Sequence, residues 1–79
     1  MDTSLIERSL ADIEQRIADN ERHISTQCDV IDALESVGRG NSETAETARE
    51  ILQSMHRALS ARLRARRLLR AQLRRAAST

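Results

Sequence analysis

The chain has 79 residues, enough for one small domain and near the size at which a single hydrophobic core is barely sufficient. It contains no Phe, Tyr, Trp or Pro and only two glycines, a composition that argues against the strands and frequent turns of an all-β protein. The formal net charge is +1, but residues 1–50 hold all twelve acidic residues and five arginines, whereas residues 51–79 hold eight arginines. This division favours either a basic segment for a polyanion or two halves that neutralise each other.

The first predicted helix covers about residues 4–37. Ser4 and Glu7 have the spacing of a capping box at its start. Apolar residues then recur at alternating steps of three and four, as in the heptad seam of a coiled coil. The apolar seam residues are Ile6, Leu10, Ile13, Ile17, Ile24, Ile31 and Leu34. Asn20 and Gln27 occupy two polar slots, and single polar seam residues typically specify register or oligomeric state.

A turn is predicted at residues 38–41, because Gly38 can adopt the left-handed conformation that closes a helix. Asn41 or Ser42 is then expected to cap the second helix. Glu43 and Glu46 lie in its first turn, where the helix dipole is positive.

The second predicted helix covers about residues 42–75 and continues the heptad rhythm. Its apolar seam residues are Ala45, Ala48, Leu52, Met55, Leu59, Leu69 and Leu73. Arg62 and Arg66 fall in two slots of this seam. Either the stripe shifts there toward Leu63, or the two guanidinium groups reach around the edge of the seam to acidic residues.

Two long helices joined by a short turn are expected to pack antiparallel, as a single helical-hairpin domain over residues 1–79 in the all-α class. Folding about Arg39–Gly40 opposes residues whose numbers sum to about 79. The resulting layers are Leu10 with Leu69, Ile17 with Arg62 and Leu63, Asn20 with Leu59, Ile24 with Met55, Gln27 with Leu52, and Ile31 with Ala48. Apolar residues oppose apolar residues over most of this length, which supports the hairpin.

One flank of the predicted seam is charged. The residue numbers of facing partners on this flank are expected to sum to about 77. The expected pairs are Glu7 with Arg70, Glu14 with the Arg67 and Leu63 region, and Glu21 with His56. The acidic first half of the first helix would then compensate the arginine-rich end of the second. Each exposed pair contributes only about 0.2–1 kcal/mol.

The other flank carries small and apolar residues with few charges among them. Its residues are Leu5, Val30, Val37, Ile51, Ala58, Ala61, Ala65 and Leu68. An isolated hairpin buries only one stripe and has little margin against its conformational entropy. We therefore expect a homodimer that forms a four-helix bundle. The alternative assembly is a tetramer. The predicted interface residues are Val30, Ile51, Ala58, Ala65 and Leu68.

The sequence contains no recognisable catalytic, cofactor-binding or metal-binding constellation. His23, His56 and Cys28 are the only soft metal ligands, and the hairpin register separates the two histidines onto opposite flanks. The Gly38–Gly40 segment follows a helix rather than a strand, so it does not predict a phosphate-binding loop. We expect no enzymatic activity, no cofactor and no small-molecule substrate. A single cysteine, no apparent signal peptide and no long apolar run predict a cytoplasmic protein without a membrane span.

The segment Ala58–Arg75 holds seven arginines and no acidic residue. The candidate polyanion contacts are Arg64, Arg67, Arg74 and Arg75. No aromatic residue is present to stack on bases, and no helix-turn-helix pattern occurs. The favoured interpretation is a solvated face compensated by the first helix, and weak nucleic-acid binding is the alternative. A membrane-surface role is disfavoured because bulky aromatic anchors are lacking.

Residues 21–59 carry a series of helix and turn features. In chain order they are Arg22-His23, Gln27, Leu34-Glu35, Gly38, Thr44 or Thr47, Ala48 and Leu52. This series resembles a group of small uncharacterised bacterial proteins. The resemblance implies a bacterial helical hairpin and implies no particular activity, and it does not extend to the arginine-dense segment.

These observations predict a non-enzymatic interaction or adaptor protein that acts as a homodimer, with a further protein as a candidate partner. The alternative is a nucleic-acid-associated regulator that uses the arginine-rich face of the second helix.

Overall fold

The computed structural model describes residues 2–78, which form two long α-helices and no strand. Helix α1 is Ser4–Ser36, with 33 residues, and helix α2 is Glu43–Ala77, with 35 residues. The helices pack along each other as a hairpin with extents of 59 × 14 × 13 Å. The prediction of an all-α hairpin is confirmed. Helix α1 ends one residue before the predicted boundary, and α2 extends two residues beyond it.

The first turn of α1 is held by a different set of side chains from the predicted capping box. The Asp2 carboxylate accepts hydrogen bonds from the Ser4 backbone N–H at 2.9 Å and from the Ser4 hydroxyl at 2.8 Å. The Thr3 hydroxyl donates to Glu7 Oε1 at 2.8 Å. The two hydrogen bonds from Ser4, the backbone one first, hold the pKa of Asp2 below its ordinary value. The capping-box prediction for Ser4 is therefore wrong, because Ser4 is already helical and its partner precedes it.

The turn between the helices is closed by Gly38, as predicted. Gly38 adopts a φ of +76°, in the left-handed region that favours glycine. Its N–H donates to the Glu35 carbonyl at 3.1 Å, and the Arg39 N–H donates to the Leu34 carbonyl at 2.8 Å. This pair of bonds is the Schellman arrangement, which satisfies carbonyls at the end of a helix that have no partner inside it.

Helix α2 begins with a side-chain cap at Ser42, one of the two predicted residues. The Ser42 hydroxyl accepts a hydrogen bond from the Ala45 N–H at 3.2 Å and donates to the Arg39 carbonyl at 2.6 Å. One side chain therefore joins the connecting segment to the first turn of α2. Glu43 and Glu46 occupy that turn, and Arg74 and Arg75 occupy the last one, so both ends complement the helix dipole.

The core between the helices is a single thin layer. Its buried apolar residues are Leu10, Ile17, Ile31, Ala45 and Ala48. The other apolar seam residues predicted from the heptad rhythm are all half-buried. Burial therefore confirms the seam, and it also shows that one hairpin shields few of its large apolar side chains well.

The interhelical bonds define how the two helices are aligned. Gln27 Nε2 donates to the Ala48 carbonyl oxygen at 2.9 Å. The predicted layers set Gln27 opposite Leu52 and Ile31 opposite Ala48. This bond therefore crosses from one predicted layer toward the next, one helical turn away.

The ion pairs on the charged flank differ from the predicted ones. Arg70 Nη2 lies 3.5 Å from Glu14 Oε1, and Arg49 Nη2 lies 3.7 Å from Glu35 Oε2. The residue numbers in each of these pairs sum to 84, whereas those of the predicted pairs summed to about 77. Side chains tilt toward the N-terminus of their own helix, so in an antiparallel pair they meet at residues of higher combined number than their backbones do. The predicted pairing of Glu7 with Arg70 is therefore wrong.

Candidate functional site

Helix α2 carries a second line of residues at heptad spacing, separate from the seam that packs on α1. We call it the uncharged strip, and its residues are Thr44, Thr47, Ile51, Ser54, Ala58, Ala61, Ala65 and Leu68. Leu68 is 66% exposed and Ile51 is 44% exposed. Val30 lies near the C-terminal end of α1, and Val37 follows its last residue. Both side chains are also exposed, although valine is among the residues most often buried.

The end of the uncharged strip near the turn opens into a groove of about 410 Å³. The groove is lined by Gln27, Val30, Glu43, Thr44, Thr47, Ala48 and Ile51. The structure therefore brings together Val30 and Ile51, two of the predicted interface residues, from different helices. Ala58 and Ala65 are half-buried and lie farther along the same strip.

Arginines line two further grooves along other sides of α2. The first, of about 380 Å³, is lined by Leu63, Arg66, Arg67, Arg70 and Arg74. The second, of about 480 Å³, is lined by Gln53, His56, Arg57, Ser60 and Arg64. Of the predicted polyanion contacts, Arg64, Arg67 and Arg74 line these grooves and Arg75 does not.

Sequence reasoning missed Arg66 and Arg70 as members of this face. The signal was present, because Arg67, Arg70 and Arg74 follow one another at steps of three and four along the helix. The heptad rhythm places Arg66 in the interhelical seam instead. In the structure its side chain is half-buried and lines the groove beside Leu63.

The arginine-rich end of α2 has little acidic compensation. Within residues 2–78, Arg70 is the one arginine of positions 62–75 that forms an ion pair, and its partner is Glu14. Of the two alternatives for Arg62 and Arg66, the one in which they reach acidic residues is not found, since neither forms an ion pair with a described acid. Asp19 pairs with Arg22 of its own helix. The arginine face therefore carries most of its positive charge uncompensated.

The two polar seam residues have different environments. Gln27 bonds to the Ala48 carbonyl across the helix interface. Asn20 is only 6% exposed, and its Oδ1 is buried without a hydrogen-bond partner. The Gln27 bond suits a role in alignment, whereas the Asn20 carbonyl oxygen is a cost to the folded hairpin.

The histidines and the cysteine do not form a metal site in the part of the chain that the structure describes. His23 and His56 are exposed and Cys28 is half-buried. No group of three or more His, Cys, Asp or Glu side chains among residues 2–78 is arranged to hold a metal ion. Over the same residues, neither helix contains an apolar stretch of the length needed to cross a bilayer.

Comparison with known protein families, with curated proteins and with solved structures finds no match to this chain. The resemblance of residues 21–59 to small bacterial helical proteins therefore stays a prediction. The two exposed faces of α2 are the features from which a function can be inferred.

Proposed function

We propose that this protein is a non-enzymatic interaction module that acts as a homodimer, in which the uncharged strips of two hairpins pack together into a four-helix bundle. The observation that carries the proposal is that α2 has two heptad lines, one packed on α1 and one whose residues are exposed apart from the half-buried Ala58 and Ala65. Heptad lines of small and apolar residues are what adjacent helices of a bundle use to interdigitate.

The thin core of one hairpin favours packing of a second hairpin against it. In one hairpin, large apolar residues such as Ile51 and Leu68 remain exposed, and the seam residues beside the buried layer are only half shielded. Packing a second hairpin on the strip would remove this apolar surface from water, at about 25 cal/mol for each Å². The homodimer therefore supplies stabilisation that a chain of this size needs.

The dimensions of the hairpin agree with this arrangement. One long face of 59 by 14 Å amounts to roughly 800 Å², which is about what each partner contributes to an interface of ordinary size. A second copy is the occupant that the strip suits best, because the strip has no charge that a partner must neutralise. In a dimer with a two-fold axis, the groove near Val30 and Ile51 of each hairpin would face the uncharged strip of the other hairpin.

The test is the substitution Ala58→Glu, with Ser60→Glu as its matched control. Ala58 lies in the middle of the uncharged strip, and Ser60 is an exposed residue of the same helix outside the strip. Burying the introduced carboxylate without a partner is costly, so we expect the Ala58→Glu variant to dissociate. The Ser60→Glu variant should keep the wild-type mass.

Size exclusion coupled to light scattering reads out the result. We expect wild type and Ser60→Glu to run at twice the chain mass of 8.9 kDa at micromolar concentration, and Ala58→Glu at the mass of one chain. Circular dichroism at the same concentration separates dissociation from unfolding. A wild-type mass of one chain would refute the homodimer, and equal masses for both variants would refute the uncharged strip as its interface.

A further inference from the structure

One of the two arginine-lined grooves brings four arginines of α2 together. We call this cluster the arginine strip, and its residues are Arg66, Arg67, Arg70 and Arg74. From Arg66 to Arg74 the strip is about 12 Å long at the rise of an α-helix. Leu63 is the single apolar residue that lines the groove.

The arginine strip is a set of like charges held close together. Arg66 and Arg70, and Arg70 and Arg74, are four residues apart, where like charges repel each other on a helix surface. Glu14 compensates one of them, and both side chains of that pair are about half exposed. The folded hairpin therefore presents an extended positive potential that a bound polyanion would lower.

The chemistry of the strip selects phosphate. The guanidinium group is a planar fork of N–H donors that matches phosphate oxygens in bidentate fashion and stays charged at any physiological pH. A rigid row of such groups suits a rigid row of phosphates, and duplex nucleic acid carries one negative charge for about every 1.7 Å of its axis. We propose that the arginine strip binds the phosphate backbone of double-stranded nucleic acid.

Two other polyanions suit the strip less well. Single strands are held mainly by aromatic side chains that stack on bases, and the sequence has no Phe, Tyr or Trp. A helix that lies on an anionic membrane inserts an apolar face beside its charges, whereas this strip has only Leu63.

Binding through the strip does not read base sequence. The strip lies on a helix that is packed against α1, and the pair is 14 by 13 Å across its Cα positions alone. The major groove of B-DNA is about 12 Å wide and admits one helix. The hairpin therefore contacts the backbone from outside the groove, where contacts position the protein but carry no sequence information.

The test is titration of a labelled 20-base-pair duplex at several salt concentrations, followed by fluorescence anisotropy. If three or four arginines each neutralise one phosphate, the slope of log affinity against log salt should be about −3. Affinity should be in the micromolar range near 150 mM salt and should be the same for unrelated duplex sequences, as for sequence-independent binding.

Two variants with equal net charge show whether the strip is responsible. The strip variant is Arg66→Gln, Arg67→Gln, Arg70→Gln and Arg74→Gln. The control variant is Arg8→Gln, Arg16→Gln, Arg22→Gln and Arg39→Gln, all exposed arginines outside α2. The strip variant should lose about a hundredfold in affinity at 100 mM salt, with a slope shallower than about −1, because three or four phosphate contacts disappear. The control variant should stay within about threefold of wild type, because its strip contacts are intact.

A third variant, Glu14→Gln, tests the charge argument by a gain rather than a loss. It releases Arg70 from its ion pair, so binding should strengthen and the slope should steepen by up to about 0.9. Ala58→Glu keeps every residue of the strip and should still bind the duplex. A result that refutes the homodimer therefore does not refute duplex binding by the arginine strip, and a result that refutes duplex binding does not refute the homodimer.

Several outcomes would overturn the proposal. They are equal losses in the strip and control variants, a wild-type slope shallower than about −1, and tighter binding of a single strand than of the duplex. Binding to vesicles that contain phosphatidylserine, with no binding to the duplex under the same conditions, would assign the strip to a membrane surface instead. Circular dichroism of each variant confirms that the losses do not come from unfolding.

Discussion

The substitution Asn20→Leu is expected to stabilise the hairpin. Asn20 is 6% exposed, and its Oδ1 is buried without a partner. A buried acceptor that lacks a hydrogen bond costs about 1–3 kcal/mol, and full burial of a leucine side chain contributes about 1.5–3 kcal/mol. The branched shape of leucine offsets part of this gain, since overpacking costs about 1–3 kcal/mol. The net gain should be about 1–2 kcal/mol in the free energy of unfolding.

The assay is thermal unfolding followed by circular dichroism at two fixed protein concentrations, because self-association links stability to concentration. A gain of about 1–2 kcal/mol raises Tm by about 5–15 °C in a domain of this size. Gln27→Leu is the matched control in the same seam. It removes the bond to the Ala48 carbonyl, which is worth about 0.5–1.5 kcal/mol, so its Tm should rise less than that of Asn20→Leu or should fall. A lower Tm for Asn20→Leu than for wild type would refute the reasoning, because the gain expected from removing an unpaired buried acceptor would be absent.

Two further predictions concern the helix ends. Gly38→Ala should lower Tm by about 5–15 °C, because the left-handed region costs alanine about 1–2 kcal/mol, while Gly38→Asn should recover most of the loss; equal Tm values for the two variants would contradict this. The hydrogen bonds from Ser4 lower the pKa of Asp2, so their stabilisation of the first turn is complete above the ordinary pKa of 3.8 and is lost as the pH falls through the lowered value. NMR titration of the Asp2 carboxyl and the Ser4 amide measures this, and an Asp2 pKa at or above 3.8 would be inconsistent with the structure.

The helix ends near the turn could be predicted from the sequence because their causes are local. Gly38 closes α1 and Ser42 caps α2 through bonds that span five residues or fewer. The heptad seam is also local in origin, since the spacing of apolar residues along each helix determines which face can be buried. Helix α1 begins at Ser4 as predicted, but its capping was predicted wrongly. Asp2, Thr3 and Ser4 all have side chains that can bond to the first turn, and composition does not rank three adjacent candidates.

The sequence by itself determined the two helices, the turn between them and the faces that oppose each other. The tertiary structure decided which charged residues meet. Heptad spacing allows flank partners to sum to 77 or to 84, and the tilt of side chains in antiparallel helices selects 84, as in Glu14 with Arg70. Arg66, Arg67 and Arg74 form no ion pair with a described acid, and they line one groove together with Arg70. The sequence therefore determined the charge of the arginine strip, whereas the pairing of Glu14 with Arg70 depended on how side chains of the packed helices meet.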